Sequence, residues 1–153
     1  MTNAVVMEAR NWLGTPFVPG ASVCGVGTDC AGLIEGVARK LGFDHPSRQA
    51  VQHDILAAAS AFLMPTNSAV AGTLVLLARE PGGLPLHAAI VTDTDTLIHA
   101  HWSAGVVENH FGGWFQRRVT HAFAWSDGGD LPLPRLCGFD RTRSCPRNGG
   151  GVS

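Results

Sequence analysis

The pattern of the sequence changes near Gly72, and this change limits the folds that the chain can adopt. Before it, apolar residues recur at helical spacing; after it, they fall into short strand-like blocks separated by turn residues. The pattern predicts helices over residues 2–13, 30–41 and 48–64, with Thr2 and Ser47 as caps, and strands over residues 73–79, 86–92, 96–101, 105–108 and 119–125. Helices followed by antiparallel strands indicate an α+β fold with N-terminal helices packed on a sheet.

Composition excludes several functional classes. The 153 residues fit one domain, and 45% hydrophobic with 15% charged residues indicates a globular protein. A net charge of −1 gives no reason to expect nucleic acid as a partner. The longest central apolar run, residues 74–78, is too short to cross a bilayer, so we expect no membrane insertion. The first residues lack a basic segment followed by a long apolar one, so we expect no signal peptide.

The chain contains four cysteines, which are Cys24, Cys30, Cys137 and Cys145. Without a recognisable secretion signal, we expect these thiols to be reduced. Their spacing does not match the short pairs of zinc knuckles, although a metal or iron–sulfur site built from all four remains an alternative. We therefore expect no metal and no other cofactor.

Cys30 has the most informative surroundings. A glycine-rich stretch leads into Asp29 and Cys30, and a helical pattern that ends at Gly42 follows at once. This places the thiol on the first turn of a helix, where free N–H groups and the helix dipole favour the thiolate. A thiolate nucleophile needs a base, and His87 and His99 lie in two later strand-like runs. The pattern indicates a Cys/His hydrolase.

Strand parity predicts that these histidines share one face of the sheet. If residues 86–92 and 96–101 form a hairpin, His87, His99 and His101 point the same way, and a second histidine can orient the first. Whether His99 or His101 takes that place stays open. A zinc site built from all three histidines is a further alternative, but it leaves Cys30 without a role. Asp29 is first of all a helix N-cap, and contact with substrate would be secondary.

Five blocks together resemble the NlpC family of cell-wall cysteine peptidases, which have a papain-like fold. The blocks are Trp12-Leu13-Gly14-Thr15-Pro16-Phe17, Asp29-Cys30-Ala31-Gly32-Leu33, Gly72-Thr73-Leu74-Val75, His87-Ala88-Ala89-Ile90-Val91 and Leu97-Ile98-His99-Ala100. The resemblance implies that Cys30 is the nucleophile, His87 the base and His99 the third, polar member. It also implies that Asp29 and Phe17 contact substrate, and that the substrate is the stem peptide of peptidoglycan, often cut between γ-D-glutamate and diaminopimelate.

Other blocks resemble the branch of this family found in phage tails and gene transfer particles. These are residues 25–30, 105–108 and 114–118. The resemblance implies an enzyme made in the cytoplasm and assembled into a phage or phage-like tail, with other tail or baseplate proteins as partners. We expect a peptidase domain over residues 1–126. The tail at residues 127–153, rich in Gly, Pro and Arg, is expected to dock on such a partner.

The chain also departs from the family pattern near the nucleophile. Phe17 stands where the family usually has tyrosine, residues 19–21 replace Trp-Gly-Gly, and Ala31 replaces serine. These changes remove hydroxyl groups from the site. They leave open the alternative that the protein is a structural tail component that keeps the fold without activity.

Overall fold

The first helix packs an apolar side onto the rest of the protein. The computed structural model describes residues 3–125, so Thr2 and the predicted tail at 127–153 lie outside the described residues. Helix α1 spans Ala4–Asn11, and its cap is Asn3, whose Oδ1 accepts hydrogen bonds from Val5 and Val6 at 2.9 and 3.3 Å. Residues 5, 6, 9 and 12 are buried as predicted, whereas Leu13 is exposed because the helix ends before it.

The second helix matches its prediction. Helix α2 spans Cys30–Leu41; Asp29 caps it by accepting from the Gly32 amide at 2.8 Å. Gly42 ends it in the left-handed region at φ 76°, a conformation that costs glycine little. Leu33 and Val37 point into the core. The start of this helix, and therefore the position of Cys30, is set by local signals.

The predicted helix over residues 48–64 is wrong in its length. Two helices occupy this region: α3 spans Arg48–His53, capped by Ser47, and α4 spans Ile55–Phe62. Asp54 separates them in an extended conformation, and its side chain caps α4 by accepting from the Ala57 amide at 3.0 Å. An aspartate that caps one helix cannot also continue the previous one, because the cap residue is non-helical.

Six strands form one antiparallel sheet. They are β3 (Leu63–Pro65), β4 (Leu74–Ala78), β5 (Pro85–Val91), β6 (Thr96–His101), β7 (Gly105–His110) and β8 (Val119–Trp125). Their order is β3-β8-β4-β5-β6-β7. The predicted α+β class with helices packed on an antiparallel sheet is confirmed. Sequence reasoning missed β3, the short helix α5 (Gly113–Gln116) and a small hairpin of β1 (Ser22–Val23) and β2 (Gly27–Thr28).

The sheet has a different apolar cluster on each face. The cluster against the helices, called here the inner core, contains Val5, Ala9, Trp12, Leu33, Val37, Leu74, Leu76, Ala88, Ile90, Ile98 and Ala100 among others. The cluster on the opposite face contains Val75, Leu77, Ala89, Val91 and Leu97, with Phe111 and Phe115 packed against it. His87 and His99 have the odd parity of this second cluster. Among residues 3–125, no helix is both long enough and apolar enough to cross a bilayer.

Candidate active site

The structure places the Cys30 thiol against the strand that carries His87. Cys30 is half-buried on the first turn of α2, and the backbone N–H groups of Ala88 and Ala31 approach its sulfur. Ala88 directly follows His87 in β5, so the thiol meets this strand one residue from the histidine. The thiol therefore contacts the strand that carries the proposed base, and the pairing of Cys30 with His87 stays a prediction.

A hydrogen-bonded chain of three side chains runs across strands β5, β6 and β7. His87 Nε2 and His99 Nδ1 are 2.8 Å apart, and His99 Nε2 lies 2.8 Å from Asn109 Oδ1. Asn109 lies opposite Leu97, two residues from His99, so this contact is a diagonal one between neighbouring strands. The prediction that one face of the sheet presents the histidines is confirmed, and Asn109 is a member of the chain that sequence reasoning missed.

These hydrogen bonds determine which ring nitrogens of His87 and His99 carry a proton. Asn109 Oδ1 can only accept, so His99 carries its proton on Nε2 and its Nδ1 is left as an acceptor. His87 must then donate from Nε2, which leaves its Nδ1 unprotonated. An imidazole with a free Nδ1 can accept a proton from a thiol. The arrangement thus holds His87 in the tautomer that a general base requires.

His101 takes part in a different contact. Its Nδ1 accepts from the backbone amides of Ser103 and Ala104 at 3.2 and 3.3 Å, which ties it to the turn after β6. Its ring centroid is 6.1 Å from that of His99. Both nitrogens of His99 are used by His87 and Asn109, so in this arrangement neither is available to a metal. Within residues 3–125, no group of three His, Cys, Asp or Glu side chains is placed to hold a metal ion.

Asp29 is held by an arginine that the sequence did not single out. Its Oδ2 accepts from Arg48 Nη2 at 2.6 Å and from the Gly20 amide at 2.8 Å, while Oδ1 caps α2. Burial acts to raise the pKa of Asp29, but these hydrogen bonds outweigh it and the pKa lies below its usual value. Arg48 is the first residue of α3, so its side chain connects that helix to the cap of the helix carrying Cys30.

The electrostatics of the resting site differ from the expected thiolate. Burial raises the pKa of the Cys30 thiol, and the nearby charge of Asp29 adds to this, while the Ala88 and Ala31 amides and Arg48 act against it. Burial also lowers the pKa of His87 to about 4, and His99 and His101 contribute to the same shift. Burial lowers the pKa of His99 as well, opposed by its hydrogen bond to Asn109. At neutral pH these shifts favour a neutral thiol beside a neutral imidazole, because desolvation outweighs the helix-start effect.

The loop before α2 packs tightly over the first turn of that helix. Phe17 is half-buried against the inner core, and its backbone pairs with Thr28 in an isolated bridge. A side chain at Gly32 would overlap the carbonyl oxygen of Ala21, so this close approach requires glycine. Phe17 therefore supports the backbone immediately before Asp29 and Cys30. Its contact with substrate stays a prediction.

The expectation of reduced thiols is wrong for Cys24, which is disulfide-bonded, whereas Cys30 is free. That expectation rested on the cell compartment. Disulfide formation also depends on whether folding brings two thiols within bonding distance, and spacing along the sequence does not give this distance. Residues 137 and 145 lie outside the described residues.

Comparison with solved structures finds the same fold. The NlpC/p60 domain of the peptidoglycan hydrolase SagA is 28% identical, with a TM-score of 0.58, over 79% of this chain and 96% of that one. An NlpC/P60 family protein from Bacillus cereus ATCC 10987 is 18% identical, with a TM-score of 0.63, over 82% of this chain and 41% of that one.

A third structure gives the same result. A protein described as similar to lipoprotein, NLP/P60 family, from Staphylococcus aureus subsp. aureus Mu50 is 23% identical, with a TM-score of 0.58, over 78% of this chain. The present chain spans about two fifths of the length of the two larger proteins, 39% and 41%. No curated protein matched the chain. The model of the NlpC/P60 family matches residues 14–124, a range that includes Cys30, His87, His99 and Asn109. The protein therefore belongs to the NlpC/P60 family.

Proposed function

We propose that the protein is a cysteine peptidase that hydrolyses an amide bond in the stem peptide of peptidoglycan. One observation carries the proposal: the Cys30 thiol lies against the Ala88 amide of β5, one residue from His87, whose tautomer is fixed by His99 and Asn109. Family membership supports the reaction class, and the related SagA domain belongs to a peptidoglycan hydrolase. Cys30 and His87 would be the catalytic residues, and His99 and Asn109 would position His87.

The reaction begins from a neutral pair. As the Cys30 sulfur attacks the amide carbonyl, His87 Nδ1 takes the thiol proton, and a sulfur–carbon bond forms. The carbon–nitrogen bond then breaks, and His87 gives the same proton to the leaving amine. Water hydrolyses the resulting thioester, with His87 again as the base, which regenerates the thiol and releases a carboxylic acid. Nδ1, the nitrogen that the His99 contact leaves unprotonated, accepts the proton when the thiol or water attacks and donates it to the leaving amine.

The backbone N–H of Cys30 is proposed as a donor to the oxyanion of the tetrahedral intermediate. It lies at the start of α2, where helix amides point outward and the dipole favours negative charge. An aligned donor of this kind contributes about 3 kcal/mol to transition-state stabilisation. Because the donor is a backbone group, it is unaffected by the replacement of the usual serine with Ala31.

The test is cleavage of purified muropeptides followed by mass spectrometry. The wild-type protein should release the two fragments of a stem peptide, whereas Cys30→Ala should release none. Cys30→Ser serves as a second control that keeps a hydroxyl nucleophile of similar size. If wild type and Cys30→Ala are equally inactive on all stem peptides, the result favours the inactive structural component that the absence of a tyrosine hydroxyl at Phe17 also allows.

We also propose that the enzyme works as part of a phage or phage-like tail, where it opens the cell wall for DNA delivery. Support comes only from the sequence blocks at residues 25–30, 105–108 and 114–118. Peptide mapping of purified particles should detect the protein together with tail or baseplate proteins. Its absence from particles that contain a complete tail would contradict this role and leave the peptidase proposal intact.

A further inference from the structure

Arg48 joins the start of α3 to the start of the helix that carries Cys30. It is the first residue of α3, and its Nη2 donates to Asp29 Oδ2 at 2.6 Å, across 19 residues of sequence. The two side chains are 24% and 19% exposed, so much of this ion pair is shielded from water. A shielded pair interacts more strongly than a surface pair because less solvent screens its charges. The contact therefore holds the Asp29 carboxylate in one position.

The same carboxylate connects two parts of the backbone next to the thiol. Its Oδ1 accepts from the Gly32 amide in the first turn of α2, and its Oδ2 accepts from the Gly20 amide in the loop before that helix, both at 2.8 Å. Both bonds require the carboxylate to keep its orientation. Because Cys30 directly follows Asp29, a carboxylate that moved would release the helix start and displace the sulfur.

Arg48 also offsets negative charge beside the thiol. Asp29 directly precedes Cys30, and Glu35 lies on the same helix with its Oε2 at 3.8 Å from Arg48 Nε. Burial is the main influence that raises the pKa of the Cys30 thiol; the charge of Asp29 adds to it, and the charge of Arg48 acts against it. The hydrogen bond to Asp29 does most to raise the pKa of Arg48, and a charge on Cys30 contributes to the same shift. Arg48 therefore stays a cation at every pH at which the thiol titrates.

The histidines on the sheet do not supply this positive charge at neutral pH. Burial lowers the pKa of His87 to about 4 and also lowers the pKa of His99, so both rings are neutral there. His101 lies beyond His99, with their ring centroids 6.1 Å apart, and its Nδ1 is tied to the turn after β6. The positive charge that favours deprotonation of the thiol therefore comes from α3.

We propose that Arg48 is a positioning residue for the nucleophile. It fixes Asp29 as the cap of α2, and its charge offsets the carboxylates of Asp29 and Glu35 while the Cys30 sulfur loses its proton. The inference rests on the proposed peptidase function, in which this proton passes to His87 as the sulfur attacks the amide carbonyl. Arg48 acts through Asp29 and through its charge.

The experiment measures the rate at which iodoacetamide alkylates Cys30 of the full-length protein over a range of pH, by peptide-level mass spectrometry. Arg48→Gln should slow alkylation about threefold below the pKa of the thiol, because losing the nearby cation raises this pKa and each unit of increase lowers the thiolate fraction tenfold. Arg48→Lys keeps the charge and should stay within about twofold of wild type. On a stem peptide, kcat/KM of Arg48→Gln should fall by a similar factor.

Arg39→Gln is the matched control. Arg39 also pairs with Glu35, at 3.3 Å, but its side chain is 53% exposed and it lies in the last turn of α2, at the far end from Cys30. Because solvent screens this charge and the helix separates it from the thiol, Arg39→Gln should leave the pH profile of alkylation unchanged.

The Asp29→Asn background separates charge from packing. Asparagine is also a good N-cap, so this variant removes the opposing charge but keeps the helix start, and it should speed alkylation. Adding Arg48→Gln should slow alkylation again by about threefold. The double variant leaves no unpaired carboxylate at the cap, so it measures the effect of Arg48 even if Arg48→Gln alone does not fold.

The alkylation measurement also separates this inference from the proposed function. If alkylation responds as expected but wild type cleaves no stem peptide, the positioning of the thiol is supported and the peptidase proposal fails. Profiles that Arg48→Gln leaves unchanged overturn the inference. Equal slowing by Arg48→Lys and Arg48→Gln, or by Arg39→Gln and Arg48→Gln, also overturns it, because the charge of Arg48 would then have no particular effect on Cys30.

Discussion

His99 donates from Nε2 to Asn109 Oδ1 at 2.8 Å, a contact between neighbouring strands that fixes the imidazole in one tautomer. Because the opposite ring nitrogen accepts from His87, this contact determines which nitrogen of His87 can receive a proton. Asn109 is 10 residues from His99 in the sequence and lies on β7, where no local motif distinguishes it.

Replacing Asn109 tests this positioning role. Asn109→Ala should lower kcat about tenfold. The variant loses a hydrogen bond of roughly 1–2 kcal/mol that holds His99, and through it His87, in one tautomer. Asn109→Asp should keep most of the activity, since a carboxylate also accepts from Nε2. Its negative charge should raise the pKa of the histidines, so the acidic limb of the kcat/KM profile should move to higher pH. The exposed Asn67→Asp change is the control. An Asn109→Asp profile that superimposes on that of wild type would contradict the role.

Alkylation of Cys30 should report a neutral thiol. Burial raises its pKa, so the rate of iodoacetamide labelling should keep increasing above the pH at which ordinary thiols level off. His87→Ala should leave this profile nearly unchanged, because His87 is neutral at those pH values. Peptide-level mass spectrometry separates Cys30 from the other cysteines. A labelling plateau near neutral pH that His87→Ala removes would instead indicate a thiolate–imidazolium pair.

The buried histidines should also make the fold sensitive to acid. The pKa of His87 falls from 6.5 to about 4 on folding, so the unfolded chain binds this proton more readily between those values. This contribution to stability is complete above pH 6.5 and is lost as the pH falls toward 4. The loss amounts to at most about 3 kcal/mol, and His99 acts in the same direction.

Urea unfolding at a series of pH values measures this dependence. His87→Gln should flatten the decrease in the free energy of unfolding between pH 7 and pH 4, since the variant has no proton to bind at this position. His53→Gln, which replaces an exposed histidine on α3, is the matched control and should keep the steeper decrease. Equal slopes for His87→Gln and the control would show that His87 is not the group responsible.

Alanine substitutions should rank the three histidines. His87→Ala should abolish cleavage as completely as Cys30→Ala, because a nucleophile and its base act as a unit. His99→Ala should retain partial activity, with a loss of roughly 10²-fold, since His87 keeps its ring but not its fixed tautomer. His101→Ala should cost little, as its Nδ1 binds a turn. Steady-state kinetics on one stem peptide gives all three values, and a larger loss for His101→Ala than for His99→Ala would contradict the proposed arrangement.

Local signals explain the parts of the fold that were predicted well. Asp29 and Gly42 are strong end signals for α2, and period-two alternation placed His87 and His99 on one face. The break between α3 and α4 at Asp54 was missed because the apolar spacing continues across this residue. Only the hydrogen bond by which the Asp54 side chain caps α4 reveals it. Arg48 and Asn109 act through contacts with residues 19 and 10 positions away, which no local pattern reveals. The pKa of Cys30 depends on burial, and burial is a property of the whole fold.

The consecutive order of β5, β6 and β7 has a consequence for how activity is acquired during folding. The His87–His99 and His99–Asn109 contacts close segments of 12 and 10 residues, whereas bringing Cys30 to Ala88 closes about sixty residues. The longer closure costs roughly 1.4 kcal/mol more chain entropy, and such non-local contacts form late. We therefore expect a folding chain to form the His87–His99–Asn109 contacts before Cys30 reaches β5, so the proposed catalytic pair would be completed only when this long-range contact has formed.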